Sequence, residues 1–403
     1  MNTHSSAPLS YHGEKGPLFS LAFKTALLTL ITLGIYRFWQ KTRIRKYIWS
    51  SVDMGGDRLE YTGTGLEKLL GFFIAVLFLA VYLGAIQMGL FYFGFSMMVD
   101  PQTASYEEMI GYLIAIYASF FAVLPFLLFA VYRARRYKMA RTRFRGIRFG
   151  MDNGAWGYVG RALLYWLLSI LTLFILSPLA MFKLEKYMAD RSYYGSGRIE
   201  QGGKWTALYK YALHMFIGII LLAGGAGAGA ALQNEALMII GMVVGYIWFF
   251  VGITYFQIRS FAYLMENKTL NGEIGFTCEP KTGTVIKHYI VGGLIVGLII
   301  GVIAAILGAG VSIIAGAMLS GGNVDPMMFT ILPIIIGVVI YLPLLVLAQA
   351  LALVFITQPI IAHIVETTAV TNADALNRIT QRETERGVDA DGFADALDVG
   401  GAI

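Results

Sequence analysis

The chain has 403 residues, 57% of them hydrophobic and 14% charged, with a mean hydropathy of +0.66. Soluble domains carry about 25% charged residues, so the polar residues present cannot cover this chain and lipid must cover part of it. The formal net charge is +6, and the one cysteine, Cys278, excludes an intramolecular disulfide and multi-cysteine zinc or iron–sulfur sites.

The opening MNTHSSAPLSYHGEK is polar and lacks the basic and apolar regions of a signal peptide. The first apolar segment, 18–36 (LFSLAFKTALLTLITLGIY), is long enough to cross a bilayer once. It carries Lys24, and a cation at the bilayer centre costs about 2.5–3.5 kcal/mol. It is therefore expected to be re-entrant or half-spanning. The next apolar stretch forms a transmembrane hairpin, 69–98/109–131, turning at VDPQTASYEEM with Asp100, Glu107 and Glu108. Directly after it comes YRARRYKMARTRFRGIR (132–148), with seven Arg and one Lys. Such a block suits nucleic acid, a catalytic cluster or a membrane edge; its place at the end of a span selects the membrane edge. Arg133, Arg135, Arg136, Arg141, Arg143 and Arg145 alternate there with Tyr132, Tyr137 and Phe144. They are candidates for binding anionic lipid headgroups, with topology setting alone as the other reading.

A second single apolar segment, 162–182 (ALLYWLLSILTLFILSPLAMF), contains Pro178 and again has cations on both sides. It too is expected to dip and return; if both such segments crossed fully, the protein would have eight spans. The second hairpin, 211–231/235–256, turns at LQNEA with Glu235. Lys210 and His214 lie four apart on its first helix and share a face, a candidate polar path, although a satisfied packing histidine explains His214 equally simply. GGAGAGA (224–230) lacks the Lys-Ser/Thr of a phosphate loop. The third hairpin, 288–319/327–357, turns at SGGNVDP with Asp325. Gly241 and Gly245, and Gly293, Gly297 and Gly301, recur every four residues, the spacing that lets helices pack closely in lipid. Gln349, Gln358 and His363 lie along the last helix, before an acidic and basic tail from 365 to 403.

All 31 Lys and Arg lie outside 69–132, 211–258 and 288–377. By the positive-inside rule the bases of the hairpins, and both termini, are expected to be cytoplasmic. The basic segments also repeat. At an offset of 140, Thr32, Leu33, Lys46, Tyr47, Gly55, Arg58 and Glu60 recur as Thr172, Leu173, Lys186, Tyr187, Gly195, Arg198 and Glu200. Tyr47, Tyr137 and Tyr263 are each followed nine residues later by glycine, at Gly56, Gly146 and Gly272, and Tyr187 by Ser196 between Gly195 and Gly197. A short β-like segment follows each. The chain thus divides into a first repeat 1–150, a second 151–285, a third hairpin 286–364 and a cytoplasmic tail 365–403. The expected fold is an all-α polytopic membrane protein of three hairpins plus two re-entrant or half-spanning helices, with short β-like cytoplasmic turns.

On LLTLITLGIYRFWQKTRIRKY, the Tyr–Gly units and the closing GFADALDVGG (392–401), the chain resembles the YjgN-like bacterial inner-membrane proteins, from about Tyr11 onward. The resemblance implies an inner-membrane location and supplies no catalytic residues. The chain contains no HExxH, nucleophile elbow or paired metal-ligand spacing, so no enzyme, metal or cofactor is expected. Two functions remain: movement or gating of a small solute or lipid, or a scaffold whose basic units bind anionic lipid or a cytoplasmic partner. The expected partners are membrane lipids and, as a homo-oligomer, a second copy of the chain, with no nucleic acid.

Overall fold

A computed structural model describes residues 6–100, 102–320 and 326–382; Asp325 and the motif at 392–401 lie outside them. In chain order the elements are β1 (Ser6–Tyr11), α1 (Lys15–Ile31), α2 (Arg37–Ser50), β2 (Val52–Met54), β3 (Asp57–Tyr61), α3 (Gly65–Tyr92), α4 (Tyr106–Ala140), β4 (Thr142–Phe144) and β5 (Ile147–Met151). Next come α5 (Ala155–Leu171), α6 (Ser177–Ala189), β6 (Ser192–Tyr194), β7 (Gly197–Gln201), α7 (Tyr209–Ala231), α8 (Glu235–Glu266), β8 (Lys268–Leu270) and β9 (Ile274–Cys278). The chain finishes with α9 (Thr282–Ser320), α10 (Pro326–Ala352), α11 (Gln358–Glu366) and β10 (Thr368–Thr371). Two helices follow one another between every odd strand and the next even one, the last pair being α9 with the α10–α11 run.

The expectation of an all-α protein is overturned. The β-like segments are strands, and they close an antiparallel barrel in the order β1-β10-β9-β8-β7-β6-β5-β4-β3-β2. The physical reason is local. Backbone between helices must find hydrogen-bond partners, and closure leaves no unpaired edge. Strands of three to six residues are too short for alternation to be read from sequence. The strands that flank each helix pair bond to each other. Leu9 pairs with Met54 around α1–α2, Phe149 with Tyr194 around α5–α6, and Ile199 with Leu270 around α7–α8. Around α3–α4 the Thr62 N–H donates to the Arg141 carbonyl, and around the last pair the Glu279 N–H donates to the Thr367 carbonyl. Ser6 pairs with Thr371, so the first and last strands are neighbours.

The helices of each expected transmembrane hairpin are present, the turn of the third lying outside the described residues. Six helical stretches are long and apolar enough to cross a membrane: Gly65–Tyr92, Tyr106–Ala140, Trp205–Ala231, Glu235–Glu266, Thr282–Ile313 and Gly337–Glu366. The segments 18–36 and 162–182 are not single helices, so the eight-span alternative fails. The first holds most of the 17-residue α1 and a tight turn, and the second the end of the 17-residue α5, a tight turn and the start of α6; α2 or α6 then runs back. At 1.5 Å per residue α1 and α5 are about 25 Å long, short of a core of about 30 Å.

The chain divides into two compact units. The first comprises Met1–Leu59, Lys210–Glu266 and Phe276–Thr371. In it the Tyr47 hydroxyl accepts from the Glu14 N–H at 2.8 Å and donates to the Glu14 carbonyl at 2.9 Å. This clasps the end of α2 to the start of α1. The Tyr263 ring lies 6.4 Å from that of Tyr211, and His363 Nε2 accepts from the Lys281 N–H at 2.9 Å, giving α8 and α11 the same kind of clasp on α7 and α9. Nine residues after His363, Asn372 takes the positive φ (57°) that Gly56 (93°) and Gly146 (75°) take after Tyr47 and Tyr137. His363 and Asn372 are therefore a fifth Tyr–Gly unit in altered residues.

The second unit comprises Glu60–Tyr209, Asn267–Gly275 and Asn372–Ile403. Here the Tyr137 hydroxyl donates to Glu67 Oε2 at 2.8 Å and the Tyr187 hydroxyl to the Gly154 carbonyl at 2.9 Å. Its apolar core gathers Leu128, Tyr132, Met151, Ala155, Tyr158 and Leu184.

The glycines divide. A Cβ built on Gly241 would lie 2.5 Å from the Gly225 Cα, and one on Gly245 2.5 Å from the Leu222 nitrogen, so both belong to a tight α7–α8 contact. Among the described residues nothing lies within 4 Å of a Cβ built on Gly293, Gly297 or Gly301, whereas one on Gly292 would lie 2.5 Å from the Phe355 carbonyl. The close approach on α9 is one residue from the expected stripe. Overpacking a close contact costs about 1–3 kcal/mol, occasionally more. Gly241→Leu should therefore lower the yield of monodisperse, detergent-stable protein severalfold, and Gly297→Leu should leave it near wild type. Size-exclusion profiles and thermal midpoints of the two variants check this.

Candidate functional site

Two features stand out, and both follow from how the short helix pairs are built. The first is the pair of tips. In α1–α2 every backbone N–H from Thr32 to Arg37 donates within the turn: Gly34 to the Thr29 carbonyl at 2.7 Å, Ile35 to that of Thr32, and Tyr36 to the Thr32 hydroxyl at 2.9 Å. In α5–α6 the same bonds recur. Phe174 donates to the Ser169 carbonyl, Ile175 to that of Thr172, and Leu176 to the Thr172 hydroxyl at 3.3 Å. Leu33 and Gly34, like Leu173 and Phe174, hold the positive φ that makes the turn. The side chains displayed there are largely apolar: Leu33 is 95% and Leu173 82% exposed, with Ile31, Ile35, Phe174 and Ile175 beside them, and the exposed Arg37 ends the first tip. An apolar surface over a turn that meets its own hydrogen-bonding demand is suited to hydrocarbon, where an unmet backbone group costs several kcal/mol. The repeated Thr-Leu at 32–33 and 172–173 is thus the signature of a tip.

The second feature is the base of α5–α6 in the second unit. Glu185 on α6 is held by two cations. Arg135 Nη1 and Nη2 donate to its two carboxylate oxygens at 2.5 and 2.9 Å, and Lys268 Nζ at 2.7 Å. Burial alone would push the Glu185 carboxyl upward, but the pull of Arg135 and Lys268, with their hydrogen bonds, outweighs it and brings its pKa down to about 2. Beside the trio, Arg136 is buried and its Nε donates to the Met151 carbonyl at 3.0 Å. The Tyr132 hydroxyl donates to the Asp152 carbonyl at 2.7 Å. The Tyr187 ring lies among cations: the Arg191 guanidinium is 3.6 Å and that of Arg161 4.5 Å from its centre. Arg382 lies 4.4 Å from the centre of the Tyr193 ring.

The six arginines of the basic block are not brought together as one patch. Arg135 and Arg136 turn inward, Arg141 reaches Glu67 at 3.2 Å, and Arg145 Nη1 reaches Asn377 at 3.1 Å from a turn position with φ of 50°. Arg133 and Arg143 are half-buried. Lys210 lies over the Tyr211 ring at 4.8 Å, while His214 stacks near Trp248 and Tyr255, with ring centres 6.1 and 5.6 Å away. The two residues of the polar-path candidate thus sit against different aromatic partners. Glu185 and Lys268 were missed in the sequence, as was Arg161. The available signal for Glu185 was a lone acid between Lys183 and Lys186. Among the described residues no three His, Cys, Asp or Glu side chains converge to hold a metal ion.

Five helix pairs rooted in paired strands, six of the helical stretches long enough to span, define an integral polytopic membrane protein. The chain belongs to the family described as "Bacterial protein of unknown function (DUF898)", whose profile matches residues 6–396, and with it to the YjgN-like proteins. It is 27% identical over 149 residues to the Inner membrane protein YjgN of Escherichia coli O157:H7, covering 36% of this chain and 32% of that protein. It is 27% identical over 154 residues to the protein of the same name from Salmonella typhimurium strain LT2, covering 38% and 33% respectively. The chain thus spans about a third of the length of the curated relatives it matches. No solved structure matches.

The Glu185 trio has a pH signature. A carboxylate whose pKa is lowered on folding contributes stability that is present above its unfolded value, about 4.3, and lost as the pH falls towards about 2. Glu185→Gln leaves two buried cations without their carboxylate and should cost about 3–5 kcal/mol at pH 7. The gap in thermal midpoint between wild type and Glu185→Gln should hold from neutrality to about pH 5 and shrink below it. A gap that stays constant down to pH 2.5 (about half a unit above the folded value) would contradict this account of the trio.

Proposed function

We propose that this inner-membrane protein moves lipid between leaflets, and that α1–α2 and α5–α6 are the working elements. The observation that carries the reading is the self-bonded apolar tip of each short pair. Such a pair enters hydrocarbon without crossing it. α1 packs against α10 and α5 against α4, so each half-depth pair stands beside full-length spans. Lipid there meets two hydrophobic lengths on one protein and must thin or tilt to match them. Thinner hydrocarbon lowers the barrier to a passing headgroup. On this reading the roots of all five pairs and both termini are cytoplasmic, because every Lys and Arg lies outside the long stretches 69–132, 211–258 and 288–377. Small-solute flux draws support from no comparable observation.

The test is reconstitution of the full chain into liposomes carrying a trace of fluorescent phospholipid. A membrane-impermeant reductant bleaches only the outer-leaflet label in empty vesicles. Wild-type protein should expose nearly all of the label on a timescale of minutes. The pair Leu33→Asp and Leu173→Asp places charge at both tips and should restore protection. Full protection with wild-type protein would favour the scaffold, and leakage of an entrapped fluorophore would favour solute flux.

A further inference from the structure

The two short pairs share their tips and their clasps but differ at the root. Aligned at the offset of 140, Gly154 of the second pair stands where the first has Glu14, and Tyr187 stands where it has Tyr47. Arg161 and Arg191 stand where it has Leu21 and Ser51. The first pair folds back and is clasped without either arginine, so neither is required to make such a pair. Both arginines are nevertheless held in place. They lie within 4.5 Å of the centre of one ring, that of Tyr187. Arg161 Nη1 donates to the Gly157 carbonyl at 2.9 Å, and Arg191 Nη1 to the Tyr187 carbonyl at 3.2 Å. Among the described residues neither guanidinium is paired with a carboxylate, in contrast to Arg135, Arg141, Arg198 and Arg378 of the same unit. A guanidinium has five N–H donors, so each keeps donors to spare. Arg161 is exposed, and Trp156, five residues earlier on α5, is also exposed with its ring edge-on to Phe126. Tryptophan in such a place marks the headgroup layer.

We propose that Arg161 and Arg191, stacked on Tyr187, form a binding site for the phosphate of an anionic phospholipid headgroup, with the acyl chains lying along the apolar surface of α5. Arginine suits this because its planar fork matches phosphate oxygens and its flat face stacks on an aromatic ring. Charge complementarity selects the headgroup, and position at the foot of an apolar helix pair selects a lipid over a free anion. The site rests on the reading of α5–α6 as lipid-embedded but not on lipid movement, so binding is measured apart from flux.

The experiment uses the full chain in a neutral detergent, titrated with phosphatidylglycerol or phosphatidylcholine and read by native mass spectrometry and by thermal midpoint. The test variant carries the first pair's own residues, Arg161→Leu with Arg191→Ser. Wild type should bind phosphatidylglycerol saturably and be stabilised by it, with little response to phosphatidylcholine. The double variant should bind phosphatidylglycerol at least about tenfold more weakly, as loss of two charge-assisted contacts demands, while keeping its elution volume and helical content. Raised salt should weaken the wild-type affinity. If the double variant fails to fold, the exposed single variant Arg161→Leu is read instead, and the same loss is expected in part. Equal phosphatidylglycerol binding by variant and wild type overturns the proposal. So does displacement of the lipid by excess inorganic phosphate alone, which would make the site one for the free anion.

Discussion

The bond on which the rest depends is the pairing of the two strands at the foot of each helix pair. Once Leu9 lies opposite Met54 and Phe149 opposite Tyr194, the helices between them must leave and return to the same place. An odd number of crossings is excluded for that pair. Because successive pairs are joined only by two- or three-residue strand turns, the rule passes along the chain. Three pairs are long enough to satisfy it by crossing twice. The other two have 17 residues and a turn before the chain runs back.

Turning back inside hydrocarbon, as the proposed reading requires, would have a strict condition, which the backbone of the tips meets. Residues 32–37 and 172–177 spend every N–H on carbonyls or on the hydroxyls of Thr32 and Thr172. What remains on the outside is largely Leu, Ile and Phe, with Arg37 exposed where the first tip runs into α2. At the opposite end the clasp closes the pair. A tyrosine serves this end well because its ring is apolar while its hydroxyl reaches a backbone group. Tyr47 and Tyr187 use the hydroxyl, while Tyr263 uses the ring and His363 a ring nitrogen. The chemistry of the clasp is variable but its place is not.

Much of this was legible in the sequence. Six spans and their turns follow from where cations are absent, and Lys24 and Pro178 argue against full crossing at 18–36 and 162–182. The 140-residue repeat picked out Thr32, Tyr47 and their counterparts before their bonds were known. The barrel was not legible, because strands such as Val52–Met54 and Lys268–Leu270 are shorter than one readable alternation and gain their stability from partners distant in sequence. The fifth unit escaped because His363 and Asn372 replace tyrosine and glycine while doing their work. Charge density did not show which arginines of the basic block face inward. Arg135 and Arg136 face Glu185 and a backbone carbonyl, whereas the less conspicuous Arg161 lies outside the block. Which arginines face outward depends on helix phase and on the acids opposite, and neither is written in local composition.

The central claim is that α1–α2 and α5–α6 enter the bilayer and turn back within it. Depth measurement at the tips tests it most directly. With Cys278 replaced, a single fluorophore on Leu33→Cys or Leu173→Cys is exposed to lipids carrying a quencher at defined depths along the acyl chain, and to an aqueous quencher on either side. The account predicts strong quenching by acyl-chain quenchers at both tips and none by the aqueous quencher from either face. Aqueous quenching from the face opposite the strands would mean that the pairs cross, and the account would be wrong.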